Sequence, residues 1–240
     1  MARQERAVRT RRAILEAAAA VFDERGYEAA TIAEILERAG VTKGALYFHF
    51  PSKQALAQGV LDEQLAEGGV PPRDSKLQEM VDVGLLLAYR IKREPMLSAG
   101  ARLSLGPEMR DVFCGGSVPG WIEFTTRLLE AAKAQGELLP HVNPAETAWV
   151  FCACWTGAQM YSQALTERED LEARVTSVYQ HIYPSIATPA VLARLDMSPQ
   201  RAARVVAEVE SLRAAEADGV AESARATEPA RATAGAPALR

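Results

Sequence analysis

The sequence is poor in the residues that build metal centres, disulfide frameworks and acid–base machinery. Among 240 residues there are only three cysteines and three histidines. Cys114, Cys152 and Cys154 fit no zinc-finger spacing. Cys152 and Cys154 fall in an apolar helical run, about 200° apart around the helix, so they read as buried, inert thiols. No metal or cofactor site is expected. His49 belongs to the short helix described below, and His141 follows Pro140 in a loop. With only His181 besides and no G-x-S-x-G elbow, a hydrolase would have no base to pair with a nucleophile. Strand-type alternation persists nowhere, which excludes a β fold. No apolar run approaches the roughly 20 residues of a membrane helix. Few thiols and no signal-peptide pattern point to a reducing cytoplasm.

What is present is helical, and its charge is unevenly spread. Hydrophobic residues make up 48% of the chain, ample for a core in one large or two modest domains. The formal net charge is −4. Residues 1–60 nevertheless hold nine Lys/Arg against seven Asp/Glu, and the remainder eighteen against twenty-four. Arg3, Arg6, Arg9, Arg11 and Arg12 open the chain with only Glu5 among them. A basic head on an acidic body is the asymmetry expected when one end meets phosphate.

The most informative stretch is TIAEILERAGVTKGALYFHFPSK, residues 31–53. Thr31 with Glu34 three residues on forms a capping box. Ile32, Ile35 and Leu36 make the apolar stripe, and Gly40 closes the helix. Thr42 caps a second helix of barely two turns, which begins Lys43, Gly44, Ala45 and continues Tyr47, Phe48, His49. A cation and small residues at a short helix's start permit close approach to phosphates and base edges in a major groove. Tyr47 and His49 reach for the flanking backbone. The pattern is a helix-turn-helix, and its partner is double-stranded DNA. The candidate DNA-binding residues are Arg3, Arg6, Thr31, Thr42, Lys43, Gly44, Ala45, Tyr47, Phe48, His49 and Lys53.

Around this motif the periodicity predicts an all-α architecture. A helix over 8–25 precedes it, and one from Lys53 to about Leu65 follows. Further helices are predicted over 75–92, 96–105, 121–134, 144–164 and 171–182, with a last one from Ser198 to about 217. Cys114 to Gly120 reads as a flexible Gly-rich loop. Asn143-Pro144-Ala145-Glu146 is a strong helix start. The helix after it is apolar nearly all round, hence buried on several sides, with Gly157 permitting close backbone approach. The expected domains are a DNA-binding head at 1–52, a ligand-binding and dimerisation body at 53–218, and a disordered tail at 219–240.

TIAEILERAGVTKGALYFHFPSKQAL resembles the DNA-binding head of TetR-family repressors over residues 8–65. GALYFHF at 44–50, Gln64, EPMLSAGARL at 94–103 and Pro119-Gly120-Trp121 further resemble the γ-butyrolactone autoregulator receptors of filamentous actinomycetes. The resemblance implies a homodimer, with one or two dimers per operator, joined mainly by 144–164 and 171–183. It places Thr42, Lys43, Gly44, Tyr47 and His49 at DNA, and Leu46 and Phe50 in the core. It also implies a small lactone or butenolide effector, avenolide-like, that releases the operator and so controls antibiotic production. Trp121 matches the tryptophan that covers the lactone, and Gln64 is placed to bond a ligand carbonyl. Thr156, beside Trp155, offers a bond to a ligand hydroxyl or carbonyl, unless its hydroxyl bonds its own helix. Trp155, Val83, Leu87, Phe124 and Phe151 are candidates for apolar lining. A repressor of the same type that senses a drug or other xenobiotic is the alternative.

Overall fold

A computed structural model of the chain describes residues 2–66, 69–106 and 117–226, and within them the side chains of 4–63, 69–106, 117–198 and 200–215. Eleven helices account for most of these residues, and an isolated antiparallel bridge joins Leu138 to Ala187. Helix α1 runs Ala2–Arg25, α2 Ile32–Ala39, α3 Lys43–His49 and α4 Lys53–Ala66. The body holds α5 Lys76–Ile91, α6 Pro95–Leu105, α7 Val118–Ala134, α8 Pro144–Thr166 and α9 Leu171–Ile186. Short α10 covers Pro189–Leu192, and α11 Pro199–Ala226.

The caps of the motif form as expected. The Thr31 hydroxyl accepts from the Glu34 amide at 3.2 Å, while Glu34 accepts from the Thr31 amide at 3.1 Å. Gly40 ends α2 at φ +64°, a left-handed backbone that glycine adopts without strain. The Thr42 hydroxyl then accepts from the Ala45 amide at 3.2 Å and starts α3. Further on, Asn143 caps α8 through Ala145 and Glu146, with Pro144 in the first turn.

Two cores meet at α6. The head core gathers Ile14, Leu15 and Phe22 from α1, Ile35 from α2, Leu46 and Phe50 around α3, and Leu56, Val60 and Leu61 from α4. Ala99 and Leu103 of α6 belong to this same cluster. By packing, therefore, α4 is a fourth head helix, and its Gly59 permits the contact. A Cβ there would sit 2.9 Å from both Leu15 Cδ2 and Phe50 Cε1. The body core is built on α5, α7, α8 and α9, with Phe151 stacked on Tyr179 at 5.4 Å and Tyr183 edge-on to Tyr179 at 5.5 Å.

Helix α11 is fastened to α5 by burial and by charge. Val205, Val206 and Val209 pack on Leu86. Beneath them Asp82 is fully buried and accepts from Arg73 Nε at 2.8 Å, Arg201 Nε at 2.7 Å and Gln78 Nε2 at 2.8 Å. Arg73 also grips Glu208 with both guanidinium nitrogens, at 2.6 and 2.7 Å.

Several boundaries depart from the sequence reading. Helix α1 starts at Ala2, six residues before the expected start at 8, because the residues there are good helix formers without a face to bury. The expected loop at 114–120 is already helical from Val118, and 107–116 lie outside the described residues. Pro184 does not end α9, since burial of Tyr183 and Ile186 outweighs the one bond a proline removes. The last helix continues to Ala226, so residues 219–226 of the expected disordered tail are helical, and 227–240 lie outside the described residues. Helix α8 is not buried all round. Trp149, Val150, Met160, Tyr161 and Leu165 are exposed on it, and open space surrounds Gly157.

Candidate DNA-binding head and ligand cavity

Helix α3 is held from behind and bare in front. Leu46 and Phe50 anchor it in the head core. Its outward face carries Lys43, Gly44, Tyr47 at 41% exposure and Phe48 at 82%. Nothing lies within 4 Å of where a Gly44 Cβ would be, so a flat partner could approach the backbone there. Lys43 Nζ sits 5.9 Å above the Tyr47 ring, a weak cation–π contact that orients the ammonium without burying it. His49 is half-buried and meets Phe48 edge-on at 5.1 Å, and Ala45 is half-buried behind them.

The other DNA candidates are placed less simply. Thr31 Oγ1 donates to Glu34 Oε2 at 2.8 Å, so its proton already has an acceptor within the head. Lys53 Nζ donates to the Glu28 carbonyl at 3.1 Å and lies 4.6 Å over the Tyr27 ring, so its exposed charge is pinned. Arg6 is exposed on α1, and the Arg3 side chain lies outside the described residues. The basic opening segment has more opposition than Glu5 alone. Arg12 pairs with Glu16 at 2.8 Å, and Arg11 lies 4.0 Å from Glu63 and 5.2 Å over Phe50.

Below the head, the body forms a partly open cavity of about 90 Å³. Val83, Leu87, Trp121, Phe124, Phe151, Trp155 and Thr156 all line it, so seven of the eight sequence-derived ligand candidates converge on one space. Trp121 and Phe124 meet edge-on at 6.0 Å. The Thr156 hydroxyl makes no hydrogen bond among the described residues, not even to its own helix. Gln64, the eighth candidate, lies in α4, and its side chain is outside the described residues. No charged residue is among the lining residues described. An apolar wall with a few polar groups is the composition of a small-molecule site.

Polar groups that sequence reasoning missed sit in the same wall. Ser104 and Ser117 share a hydrogen bond of 2.9 Å and join the end of α6 to the start of α7. Thr125 lies 3.5 Å from the Cys152 sulfur, and burial pushes that thiol's pKa upward. Gln159 completes the α8 face. Its spacing from Phe151, Cys152, Trp155 and Thr156 follows the helical period, and that signal was available in the sequence. Cys154, in contrast to the expectation of a buried thiol, is exposed, and Cys114 lies outside the described residues. Trp155 Nε1 donates to the Gly84 carbonyl at 3.3 Å, and the Tyr179 hydroxyl points at the same glycine without a partner of its own.

A helix-turn-helix head above a partly open, largely apolar cavity is an arrangement shared with known proteins. The family model described as bacterial regulatory proteins of the tetR family matches residues 14–60, and the tetracyclin repressor-like C-terminal domain matches 107–178. The chain belongs to the TetR family: it is a DNA-binding transcriptional repressor and not an enzyme. It is 44% identical to the A-factor receptor protein of Streptomyces griseus over 93% of this chain and 83% of that one. Among solved structures, TylP, a TetR regulator from Streptomyces fradiae, is 46% identical, with a TM-score of 0.76 over 87% of this chain and 93% of that chain. A gamma-butyrolactone receptor described as ArpA-like is 29% identical, with a TM-score of 0.63 over 85% of this chain and 99% of that chain. Among the described residues no helix is long and apolar enough to cross a membrane.

Proposed function

We propose that the protein is a homodimeric repressor that holds operator DNA while its cavity is empty and releases it when a γ-butyrolactone or butenolide, avenolide-like in kind, enters. The observation that carries this reading is the double role of α6. Ala99 and Leu103 are buried in the head core, while Ala101, Ser104 and Leu105 form cavity wall. A ligand that enters packs against α6, and displacement of α6 reaches the head directly. The ligand must favour the DNA-incompetent state, and a coupling of about 1–3 kcal/mol gives roughly 5–150-fold release.

In this reading Thr42, Lys43, Gly44, Tyr47 and His49 meet the operator in successive major grooves. Trp121 covers the lactone, and Gln64 and Thr156 bond its oxygens. The exposed apolar face of α8, with Tyr161 73% and Leu165 79% exposed, pairs with a second copy together with α9. The protein acts in the cytoplasm on genes for antibiotic production and on its own gene. A drug-sensing repressor is the second reading. The lining described carries no carboxylate to hold a cationic drug, which favours a neutral lactone.

The test is fluorescence anisotropy on a palindrome selected from random DNA by the purified protein, titrated with γ-butyrolactones and butenolides. Release by one lactone class at nanomolar dose is expected. Tight binding that no lactone disturbs would overturn the effector assignment while leaving the repressor.

A further inference from the structure

Gln159 is almost wholly buried on α8 and forms part of the cavity wall. Its Oε1 accepts from Arg168 Nε at 3.1 Å. Arginine only donates, so this bond fixes which end of the amide is oxygen. The Nε2 end is left over, and no hydrogen bond occupies it among the described residues. Nor is that nitrogen sealed off. The only fully covered side-chain polar atom without a partner among the described residues is the Tyr179 hydroxyl. Buried amides are normally paired. An unpaired N–H donor opening on an apolar cavity fits a ligand that carries an oxygen acceptor.

The other end of the same amide leads to the head. Glu167 and Arg168 follow α8 with φ of 52° and 66°, two successive left-handed residues neither of which is glycine. That turn sends the Arg168 side chain inward. Its Nη1 donates to Ser98 Oγ of α6 at 2.5 Å and to the Ile91 carbonyl at 3.4 Å. Ser98 Oγ donates in turn to Asp23 Oδ1 of α1 at 2.6 Å, and Arg102 donates to the Asp23 carbonyl. Among the described residues no carboxylate touches Arg168. Burial weakens its hold on its proton, and the charge of Asp23 opposes that effect. A buried cation of the body thus has its counter-charge in the head.

We propose that Gln159 bonds a carbonyl or ring oxygen of the effector through Nε2, and that Arg168, Ser98 and Asp23 carry cavity occupancy to the DNA-binding head. The inference rests on the effector-released repressor reading. A ligand acceptor draws the amide into the cavity, Arg168 loses one of its few acceptors, and the Ser98–Asp23 bond is where that shift meets α1.

The full-length protein is followed by two readouts, tryptophan fluorescence for ligand binding and anisotropy for operator release. The probes are a γ-butyrolactone with an acyl chain and a butenolide with an alkyl chain. Gln159→Glu keeps an acceptor for Arg168 and removes both amide protons. It is expected to bind operator within about threefold of the parent and the probe at least tenfold more weakly. Gln159→Met, similar in length and without a donor, should bind the probe as weakly, which guards against an effect of the introduced charge; because it also takes the acceptor from Arg168, the relay has it bind operator more weakly than Gln159→Glu does. Ser98→Ala should bind the probe within threefold of the parent yet need at least tenfold more of it to release operator. Parent-like probe affinity in both Gln159 variants would overturn the anchor, and parent-like release by Ser98→Ala would overturn the relay. A parent that binds operator but responds to neither probe defeats the effector reading before any variant is made, and this inference falls with it.

Discussion

Lys43 gives the sharpest test of how the head meets DNA. Each protomer presents one Lys43 ammonium on the exposed side of α3, tethered only by the Tyr47 ring 5.9 Å below it. A homodimer therefore brings two such charges to the operator. Each phosphate contact contributes roughly 0.9 to the slope of log affinity against log salt on B-DNA, so Lys43→Ala should flatten that slope by about 1.8. Between about 50 and about 200 mM salt, a fourfold change, the parent then loses about twelvefold more affinity than the variant. The variant's deficit is largest at low salt and shrinks by that factor at high salt. Anisotropy on one operator across the salt series measures it. Lys53→Ala is the internal comparison. Its ammonium is already bonded to the Glu28 carbonyl, so the variant should flatten the slope less and lower the thermal midpoint of the head. An unchanged slope for Lys43→Ala, with Lys53→Ala carrying the whole effect, would refute α3 as the element at the phosphates.

Three further perturbations probe the body. Gly84→Ala would place a Cβ 1.7 Å from the Tyr179 hydroxyl, so it should destabilise the protein by about 1–3 kcal/mol, with partial rescue by Tyr179→Phe in thermal unfolding. Failure of that rescue would mean the strain is relieved elsewhere. Tyr161→Asp with Leu165→Asp puts charge on the exposed α8 face and should give monomers by sedimentation together with loss of operator binding. A variant that stays dimeric would move the interface off α8. In a Cys114→Ser, Cys154→Ser background, Cys152 should react with maleimide far more slowly than Cys154 does in the parent, because burial keeps its thiol protonated. Bound lactone should slow it further, and indifference to lactone would place the ligand away from the Cys152 wall.

The legible part of this protein is the part governed by local rules. Thr31 with Glu34, Gly40, Thr42 and Asn143-Pro144 each fix a helix end by chemistry within four residues, and every one of these forms as the sequence implies. Five of the cavity residues (Val83, Leu87, Phe124, Phe151 and Trp155) were legible for a related reason, since large apolar side chains at helical spacing must bury somewhere, and here they bury around one space; Trp121 was legible through the family resemblance, and Thr156 as a hydroxyl beside Trp155. What escaped depends on partners distant in sequence. Asp82 looks like a surface acid in its helix, and only Arg73 and Arg201 make its burial tolerable. Glu137 looks like a turn residue, yet its buried carboxylate caps α5 through the amides of Lys76 and Leu77. Arg168 enters the interior through a left-handed turn of two non-glycine residues, which no propensity scale favours.

Those same distant bonds divide the cavity wall into a side that holds and a side that can yield. Helix α5 supplies Met80, Val83, Gly84 and Leu87 to the lining. It is fixed at its start by Glu137, along its length by Asp82 with two arginines, and on its outer face by α11. A buried ion cluster contributes little net stability, but moving one member strands the others, so it fixes position strongly. Helix α6 is fastened differently, at its start to α5 and along its middle to the head. Glu94 at its N-terminus gives no side-chain cap but is gripped by Arg90 of α5 at 2.6 and 2.7 Å. Ser98 accepts from the buried Arg168 at 2.5 Å, and at the far end Ser104 meets Ser117 through two neutral hydrogen bonds. Ser98 and Arg102 also attach it to Asp23 of the head. A ligand that forces the cavity wider therefore works against an α5 fixed by a buried ion cluster and an α6 whose middle is bonded to Asp23 of the head. The wall that gives way is the one bonded to the helix-turn-helix head.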